Sequence, residues 1–207
     1  MRLIGMLDSP YVRRVAIALE SLHVPFKHEP VSVFSTFEQF QDVNPVVKAP
    51  TLVCDDGEIL MDSSLILQFV EATVARGKSL WPADPMELQR EFRAVGLALA
   101  ACEKSVQIIY ERNLRPKEAQ HEPWVTRVTG QLLAAYAGLE REVQRRPAAF
   151  SVSHGQAAIS AAVAWQFTQS MLTAVVPASN HPGLVKLSER LEQTVEFQKY
   201  PPVGPGV

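Results

Sequence analysis

The chain has 207 residues, of which 47% are apolar and 20% charged, and this length allows one large domain or two small ones. Its formal charge of -2 at pH 7 gives no general attraction to nucleic acid or to an anionic membrane, so neither is expected as a partner. No window reaches the roughly 18 apolar residues of a membrane span, and the first apolar run is too short for the core of a signal peptide. Cys54 and Cys102 form no CxxC pair, which favours free thiols and a cytoplasmic location.

An α/β pattern is predicted for the first part of the chain. The apolar run at 2–6 predicts a buried strand, and a helix is expected after it, with Ser9 as the N-cap and Pro10 as the first helical residue. Residues 26–31 predict a second strand, which runs parallel to the first because a helix connects the two. Segment 34–44 is short and mixed in composition, so one or two irregular helical turns are expected there.

A hairpin and a third helix complete this pattern. TLVC at 51–54 and EILM at 58–61 are strand-like runs separated by DDG, a sequence typical of the tight turn between antiparallel strands. DSS at 62–64 caps the helix that follows. The complete order, β-α-β-α-β-β-α, is of the thioredoxin type, in which Pro50, before the third strand, is the candidate for a cis peptide bond.

Residues 78–85, KSLWPADP, contain two prolines and predict a linker, and everything after them predicts helices. Two long helices are expected on either side of a loop at 115–123, each with one apolar stripe. Because the loop is short, the stripes predict an antiparallel pair within a bundle. The stripes consist of Leu88, Phe92, Val95, Leu99, Cys102, Val106 and Ile109 in the first helix, and of Val125, Val128, Leu132, Tyr136, Leu139 and Val143 in the second.

An alanine-rich segment follows the helix pair. The S-x-x-Q sequence of Ser153 and Gln156 predicts a capping box, and the helix behind it is apolar nearly all round, which places it at the centre of the helical domain. One or two closing helices are expected after it. The elements together predict an α/β thioredoxin-like domain at 1–77, a linker at 78–85 and an all-helical domain at 86–207.

This organisation resembles a cytosolic glutathione transferase of the bacterial serine type, and the resemblance covers essentially the whole chain. It rests on three motifs, SPYVRR at 9–14, NPVVKAPTL at 44–52 and MDSSLI at 61–66, which occur in the family's order and on matching elements. Two departures accompany them. The capping box of the family usually carries an aspartate where this chain has Gln156, and Asp62 stands where a glutamate is commoner.

The first motif concerns the thiol of glutathione, the ligand that the resemblance implies. In redox relatives of this fold the first helix begins with C-P-Y-C, and the two cysteine positions are here Ser9 and Val12, so dithiol chemistry is lost. The unpaired N–H groups of the helix start remain. The resemblance implies that Ser9 donates a hydrogen bond to a glutathione thiolate, and a bond of about 1.5–3 kcal/mol would lower the thiol pKa by about one or two. Helix capping is the alternative role of Ser9. Tyr11 is expected to line the site, and Arg13 to pair with an acid at the surface between the domains.

The resemblance assigns the rest of the glutathione to the other two motifs. With Pro50 in the cis form, the backbone of Ala49 would pair in antiparallel fashion with the cysteinyl part of the tripeptide. The hydroxyl and N–H of Ser63 suit the γ-glutamyl carboxylate, and Asp62 suits its ammonium group. The alternative is that both residues only cap the helix. Lys48 would either reach a carboxylate of the ligand or point into solvent.

The resemblance implies an enzyme that conjugates glutathione, its co-substrate, to a small hydrophobic electrophile bound between the domains, with a role in detoxification. A non-catalytic module for protein interaction or regulation is one alternative, and a glutathione-dependent isomerase or peroxidase is another. No metal is expected, because the five histidines show no metal-ligand spacing.

A homodimer is also implied by the resemblance. Leu97, Ile108 and Tyr110 lie off the stripe of the first long helix and are expected to need cover of their own. The strand at 58–61 and the helix after Ser63 would dock on the long helix of a second copy under a two-fold axis.

Overall fold

The structure, a computed structural model, describes residues 1–75, 77–151 and 155–205. The chain folds as two compact units. The first, which we call the α/β unit, comprises residues 1–80 together with residues 194–205. The second, the helical unit, comprises residues 81–193. None of the described helices is long and apolar enough to cross a membrane.

The α/β unit contains the four-stranded mixed sheet that the sequence predicts. Its strands are β1 (Arg2–Ile4), β2 (Lys27–Glu29), β3 (Thr51–Val53) and β4 (Ile59–Met61), in the spatial order β2-β1-β3-β4. β1 runs parallel to β2 and antiparallel to β3, and β3 runs antiparallel to β4. The thioredoxin-like topology is therefore confirmed.

Three helices accompany the sheet, and two of them were expected from their starts. They are α1 (Pro10–Ser21), α2 (Phe37–Val43) and α3 (Ser63–Phe69), and α3 continues directly into a π-helical stretch, Val70–Val74. α2 is a regular helix where irregular turns were expected. Its Phe40 is fully buried in a cluster with Ile4, Val31 and Val53, and Val43 packs against the same cluster, so tertiary packing holds a helix that its mixed composition does not predict.

The helical unit contains five α-helices among its described residues: α4 (Pro85–Asn113), α5 (Glu122–Arg145), α6 (Pro147–Ser151), α7 (Gln156–Leu172) and α8 (Pro182–Leu191). α4 and α5 are antiparallel, as predicted, because ion pairs join opposite ends of the two helices. Arg93 near the start of α4 lies 3.0 Å from Glu142 near the end of α5. Arg112 at the end of α4 pairs with Glu122 at the start of α5.

α5 buries the predicted stripe, whereas α4 buries only part of its own, namely Val95, Cys102 and Ile109. Phe92, which belongs to the predicted stripe, is 55% exposed, and Ile108, which was expected to need cover from outside, is only 3% exposed. The buried face also includes four small residues: Ala94, Ala98, Ala101 and Ser105. Such side chains let α7 pack closely against α4. The predicted stripe left these small residues out because it was defined by larger apolar side chains.

α7 is buried from Gln156 to Trp165 and packs on α4, α6 and α8, so its central place in the helical unit is confirmed. It begins at Gln156, and Ser153 of the expected capping box lies outside the described residues. A carboxylate does reach this helix start, but from another helix: the N–H of Ala157 donates to Glu91 of α4 at 3.1 Å.

The starts of α5 and α8 are bonded in the same way. In the described residues, α5, α7 and α8 lack a side-chain bond from their own N-cap residue. At each of these starts, backbone N–H groups instead donate to a buried glutamate on a different helix. We call Glu91, Glu111 and Glu140 the long-range glutamate caps. The bonds join Glu111 to the N–H of His121 (2.9 Å), Glu91 to that of Ala157 (3.1 Å), and Glu140 to those of Gly183 (2.7 Å) and Leu184 (2.9 Å).

The last described segment, residues 194–205, contains α9 (Val195–Lys199) and belongs to the α/β unit. The sequence assigned everything from residue 86 onward to the helical domain, and this segment departs from that boundary. The reason lies on α1, where the buried Arg13 donates to the Tyr200 carbonyl at 2.8 Å and lies over the Phe197 ring. Arg13 is thus inside the α/β unit, whereas we expected it at a surface between domains.

Further contacts fix this segment. Lys199 and the Tyr200 hydroxyl both donate to the Glu20 carboxylate, at 2.8 and 3.0 Å. The bond from Lys199 is the main cause of the lowered pKa of Glu20. Burial, together with the bond to Glu20, raises the pKa of the Tyr200 phenol. Gly204 lies directly against the carboxyl group of Asp8, the residue before Ser9.

Candidate functional site

The three sequence motifs meet at one edge of the sheet because of its register. Thr51, the first residue of β3, pairs with Ile4, the last residue of β1. Thr51 also pairs with Met61, the last residue of β4. The loop to α1, the residues before β3 and the start of α3 therefore all leave the sheet from neighbouring positions.

Gly5 brings the first two of these segments into contact. Its φ is +139°, a conformation that L side chains rarely adopt, and a Cβ at this position would lie 2.6 Å from Val12 and 3.2 Å from Ala49. A ring nitrogen of His28 lies 2.8 Å from the Gly5 carbonyl oxygen. The start of α1 and the segment before β3 thus pack on either side of a backbone position that accommodates only glycine.

Ser9 occupies the N-cap position of α1, half-buried, with φ -70° and ψ 122°. Its carbonyl accepts the first helical bond, from the N–H of Arg13 at 3.0 Å. Within the part of the chain that the structure describes, its hydroxyl makes no capping bond to α1. The hydroxyl is therefore not engaged in the capping role that was the alternative to a role with a ligand.

The Ala49–Pro50 peptide bond is cis, which confirms the expectation for Pro50. Pro50 is buried and Ala49 is half-buried. The Lys48 ammonium lies 3.8 Å from Oδ2 of Asp62, and both side chains are about half exposed. An ion pair of this length and exposure contributes little to stability, so it orients the two groups more than it holds the fold.

Asp62 has a positive φ of 73°, which is uncommon for a residue other than glycine. Its Oδ1 accepts the Ser64 N–H at 2.9 Å and so caps α3. The cap helps to offset the strain, which for such a conformation is on the order of 1–3 kcal/mol. The capping alternative is therefore realised for one oxygen of Asp62, while the other oxygen faces Lys48.

Ser63, the first residue of α3, is only 3% exposed, and its hydroxyl lies 3.2 Å from the Arg14 guanidinium. Arg14 was missed by the sequence analysis, which assigned it no role. The residues from Val12 to Leu19 are all buried, because α3 and α9 also pack on α1. The sequence signal for this contact was the pair of adjacent arginines, because arginines on a buried helix require polar partners.

Both cysteines are free thiols, Cys102 buried and Cys54 half-buried, and burial raises the pKa of Cys54. Among the described residues, no cluster of three or more His, Cys, Asp or Glu side chains has a metal-binding arrangement.

Comparison with known proteins shows that the first part of the chain is similar to glutathione S-transferases. The family model for the glutathione S-transferase N-terminal domain matches residues 3–78. YibF, an uncharacterized GST-like protein of Escherichia coli, is 28% identical over 122 residues, or 59% of this chain and 59% of that protein. Glutathione S-transferase U1 of Arabidopsis thaliana is 33% identical over 88 residues, 42% of this chain and 38% of that protein. The chain thus matches less than two thirds of the length of these relatives.

Solved structures match over nearly the whole chain. A glutathione S-transferase of Methylobacterium radiotolerans, in complex with glutathione sulfonate, is 26% identical with a TM-score of 0.87, covering 100% of this chain and 96% of that one. A glutathione transferase family member of Pseudomonas fluorescens with bound glutathione is 27% identical with a TM-score of 0.84, covering 98% and 99%. Residues 3–78 form a glutathione S-transferase N-terminal domain. Over nearly its whole length, the chain is similar in fold to these glutathione transferases.

Proposed function

We propose that the chain is a serine-type glutathione transferase, which binds glutathione on the α/β unit and conjugates it to a small hydrophobic electrophile. The observation that carries the proposal is the convergence of Ser9, the cis bond before Pro50, and the Asp62–Ser63 helix start at one edge of the sheet. The ligands of the Methylobacterium and Pseudomonas proteins, glutathione sulfonate and glutathione, support the choice of ligand.

The cysteinyl and γ-glutamyl parts of the tripeptide each have a proposed partner. The backbone of Ala49 pairs with the cysteinyl residue, next to Pro50. The Ser63 hydroxyl donates to the γ-glutamyl carboxylate, and the Asp62 carboxylate accepts from the γ-glutamyl ammonium group. Lys48, whose ammonium already lies beside Asp62, completes the charged rim of this site.

Ser9 is proposed to activate the thiol. A free thiol with a pKa of about 8.5 is only a few per cent ionised at pH 7, and each unit of lowering needs about 1.4 kcal/mol of preference for the thiolate. A charge-assisted hydrogen bond from the Ser9 hydroxyl, worth about 1.5–3 kcal/mol, is large enough to supply about one or two units. The N–H groups at the start of α1 add to this preference.

The chemistry then follows from the thiolate. The thiol proton leaves to water, the sulfur attacks an electrophilic carbon and a sulfur–carbon bond forms. In a substitution the leaving group departs with its bonding electron pair. In an addition the resulting carbanion takes a proton from water.

Calorimetric titration with glutathione, followed by assays with a panel of electrophiles, tests this function. We expect saturable binding of glutathione and conjugation of at least one halogenated aromatic or activated alkene. Binding without any conjugation would favour a non-catalytic module, and turnover that regenerates glutathione would favour an isomerase. Absence of glutathione binding would overturn the proposal.

A homodimer is also proposed. β4 is an edge strand, and Ile59, Met61 and Leu65 on and beside it are 41%, 37% and 61% exposed. On α4, Phe92 and Tyr110 are exposed, whereas Ile108 is buried and no longer supports this argument. Docking of the β4 and α3 edge on α4 of a second copy would cover such surfaces, with at least about 1,000 Å² buried in a specific interface.

Light scattering tests the dimer. We expect about twice the 22.9 kDa of one chain, and weaker glutathione binding on dilution, because Asp62 would lie close to the second copy. A monomer that binds glutathione equally well at every concentration would contradict this.

A further inference from the structure

Arg14 lies buried beneath the start of α3. Its side chain is 2% exposed, and Nη1 lies 3.2 Å from the hydroxyl oxygen of Ser63 and 3.2 Å from that of Ser64. Ser63 is itself almost fully buried. One guanidinium nitrogen thus bridges two adjacent serine hydroxyls of the same helix turn.

The chemistry of these groups sets the direction of both bonds. A guanidinium carries only donors, whereas a serine hydroxyl donates one proton and accepts through two lone pairs. Each hydroxyl must therefore accept from Arg14, and the proton of the Ser63 hydroxyl is directed away from the guanidinium. Without this bond, the hydroxyl could rotate to bond the local backbone instead, as serines near helix starts commonly do.

We infer that Arg14 is a positioning residue, which holds the Ser63 hydroxyl as a donor towards the γ-glutamyl carboxylate of glutathione. The inference rests on the proposed function and adds to it a source of selectivity. Asp62, whose Oδ1 is bound to the Ser64 N–H, is an acceptor beside that donor. A donor and a carboxylate side by side match the carboxylate and ammonium group of a free α-amino acid end.

The test compares three ligands on Arg14→Met, a substitution that keeps much of the side-chain volume but removes the donors. Glutathione and γ-glutamylcysteine carry the γ-glutamyl group, and cysteinylglycine lacks it. We expect the variant to bind the first two about tenfold more weakly than the parent does, and cysteinylglycine with unchanged affinity. The thiol pKa of bound glutathione, read from thiolate absorbance, should stay at the parental value because Arg14 acts at the other end of the ligand.

Arg13→Met is the matched control. Arg13 is the adjacent arginine on α1 and is also buried, and it bonds the Tyr200 carbonyl and lies over the Phe197 ring. We expect it to change the affinities for all three ligands by the same factor. If Arg14→Met also weakens all three equally, or weakens none, the inference is overturned while the proposed function stands. If the parent does not bind glutathione, the proposed function itself fails.

Two further variants keep the test decisive if Arg14→Met folds poorly. Arg14→Lys keeps the charge but replaces the planar fork with a single ammonium, so a smaller loss confined to the γ-glutamyl ligands is expected. In a Ser63→Ala background the Arg14→Lys substitution should cause no additional loss of glutathione affinity, because the hydroxyl that it orients is gone. Additive losses would contradict the inference.

Discussion

The two units hold their elements in place by different means. In the described residues, every positive φ lies in the α/β unit: Gly5, His23, Val47, Gly57, Asp62 and Gly77. The described backbone of the helical unit is regular, and its long-range glutamate caps join the start of one helix to the side of another. Main-chain conformation shapes the unit that carries the candidate site, whereas buried carboxylates organise the other.

The difference matters for how each unit tolerates substitution. A residue that restricts φ should damage the α/β unit, even where no side-chain contact is lost. Removal of one carboxylate should damage the helical unit, because it leaves N–H groups without their bonding partners. The following predictions test that contrast, beginning with the largest expected effect.

Gly5→Ala should destabilise the chain by about 3–5 kcal/mol, since it combines an unfavourable φ with crowding against Val12 and Ala49. Urea unfolding measures this loss, and glutathione binding should fall with it. Gly57→Ala is the control for strain alone, because Gly57 also has a positive φ but a Cβ there meets no atom of the described chain within 4 Å. It should cost only about 1–2 kcal/mol. Equal losses in the two variants would refute the role of crowding.

Glu140→Ala should destabilise the chain by about 2–4 kcal/mol, because it removes two bonds to the start of α8 and leaves the partly buried N–H of Gly183 and the buried N–H of Leu184 without this acceptor. Glu189→Ala, an exposed glutamate on α8 itself, is the matched control and should change the stability by less than about 0.5 kcal/mol. If the two substitutions cost the same in denaturant unfolding, the caps do not hold the helical unit together.

Acidification should change the stabilising contributions of two of the caps, Glu111 and Glu91, in opposite directions. The bond from the His121 N–H, with Arg115, lowers the pKa of Glu111, so its stabilisation is present above the unfolded pKa and lost as the pH falls. Burial raises the pKa of Glu91, so its contribution is largest at low pH and lost as the pH rises through the folded value.

Unfolding free energies of Glu111→Gln and Glu91→Gln at pH 7 and pH 4 measure this contrast. Compared with the parent, the loss of stability on going to pH 4 should be smaller in Glu111→Gln and larger in Glu91→Gln. A shift of the same sign in both variants would show that the caps titrate alike.

Ser9→Ala should have the smallest effect on stability, within about 0.5 kcal/mol, since the hydroxyl makes no capping bond among the described residues. The effect should fall on function instead: the thiol pKa of bound glutathione should rise by about one, and conjugation at neutral pH should slow accordingly. Ser21→Ala, which removes a hydroxyl bonded to Ile17 at the other end of α1, controls for the helix. An unchanged thiolate titration would exclude Ser9 from the mechanism.

Much of the α/β unit could be predicted because its signals are local. Ser9 and Pro10 mark the start of α1, DDG marks the hairpin turn, and the thioredoxin-type order points to Pro50. The contact between Arg14 and Ser63 joins residues 49 positions apart, and no pattern in the sequence announces it. The identity of the side chain facing Ser63 depends on how α3 crosses α1, which only tertiary packing decides.

The helical unit was less predictable for the same reason. Helix positions followed from periodicity, but only part of the buried face of α4 did, because Ala94 and Ala98 also belong to it and periodicity of large apolar side chains does not point to them. The caps of α7 and α8 come from residues 66 and 43 positions away, and a local search of the sequence near a helix start does not reach so far.

The return of residues 194–205 to the α/β unit has a consequence for how the protein is made. During synthesis, α1 emerges early, yet the carbonyl that Arg13 bonds belongs to Tyr200 and follows only after the whole helical unit has been translated. A ribosome-bound nascent chain ending before residue 194 therefore holds an α/β unit whose Arg13 has neither that carbonyl nor the Phe197 ring beside it. The unit that carries the candidate glutathione site therefore gains these contacts of Arg13 only after residues 194–205 have been translated.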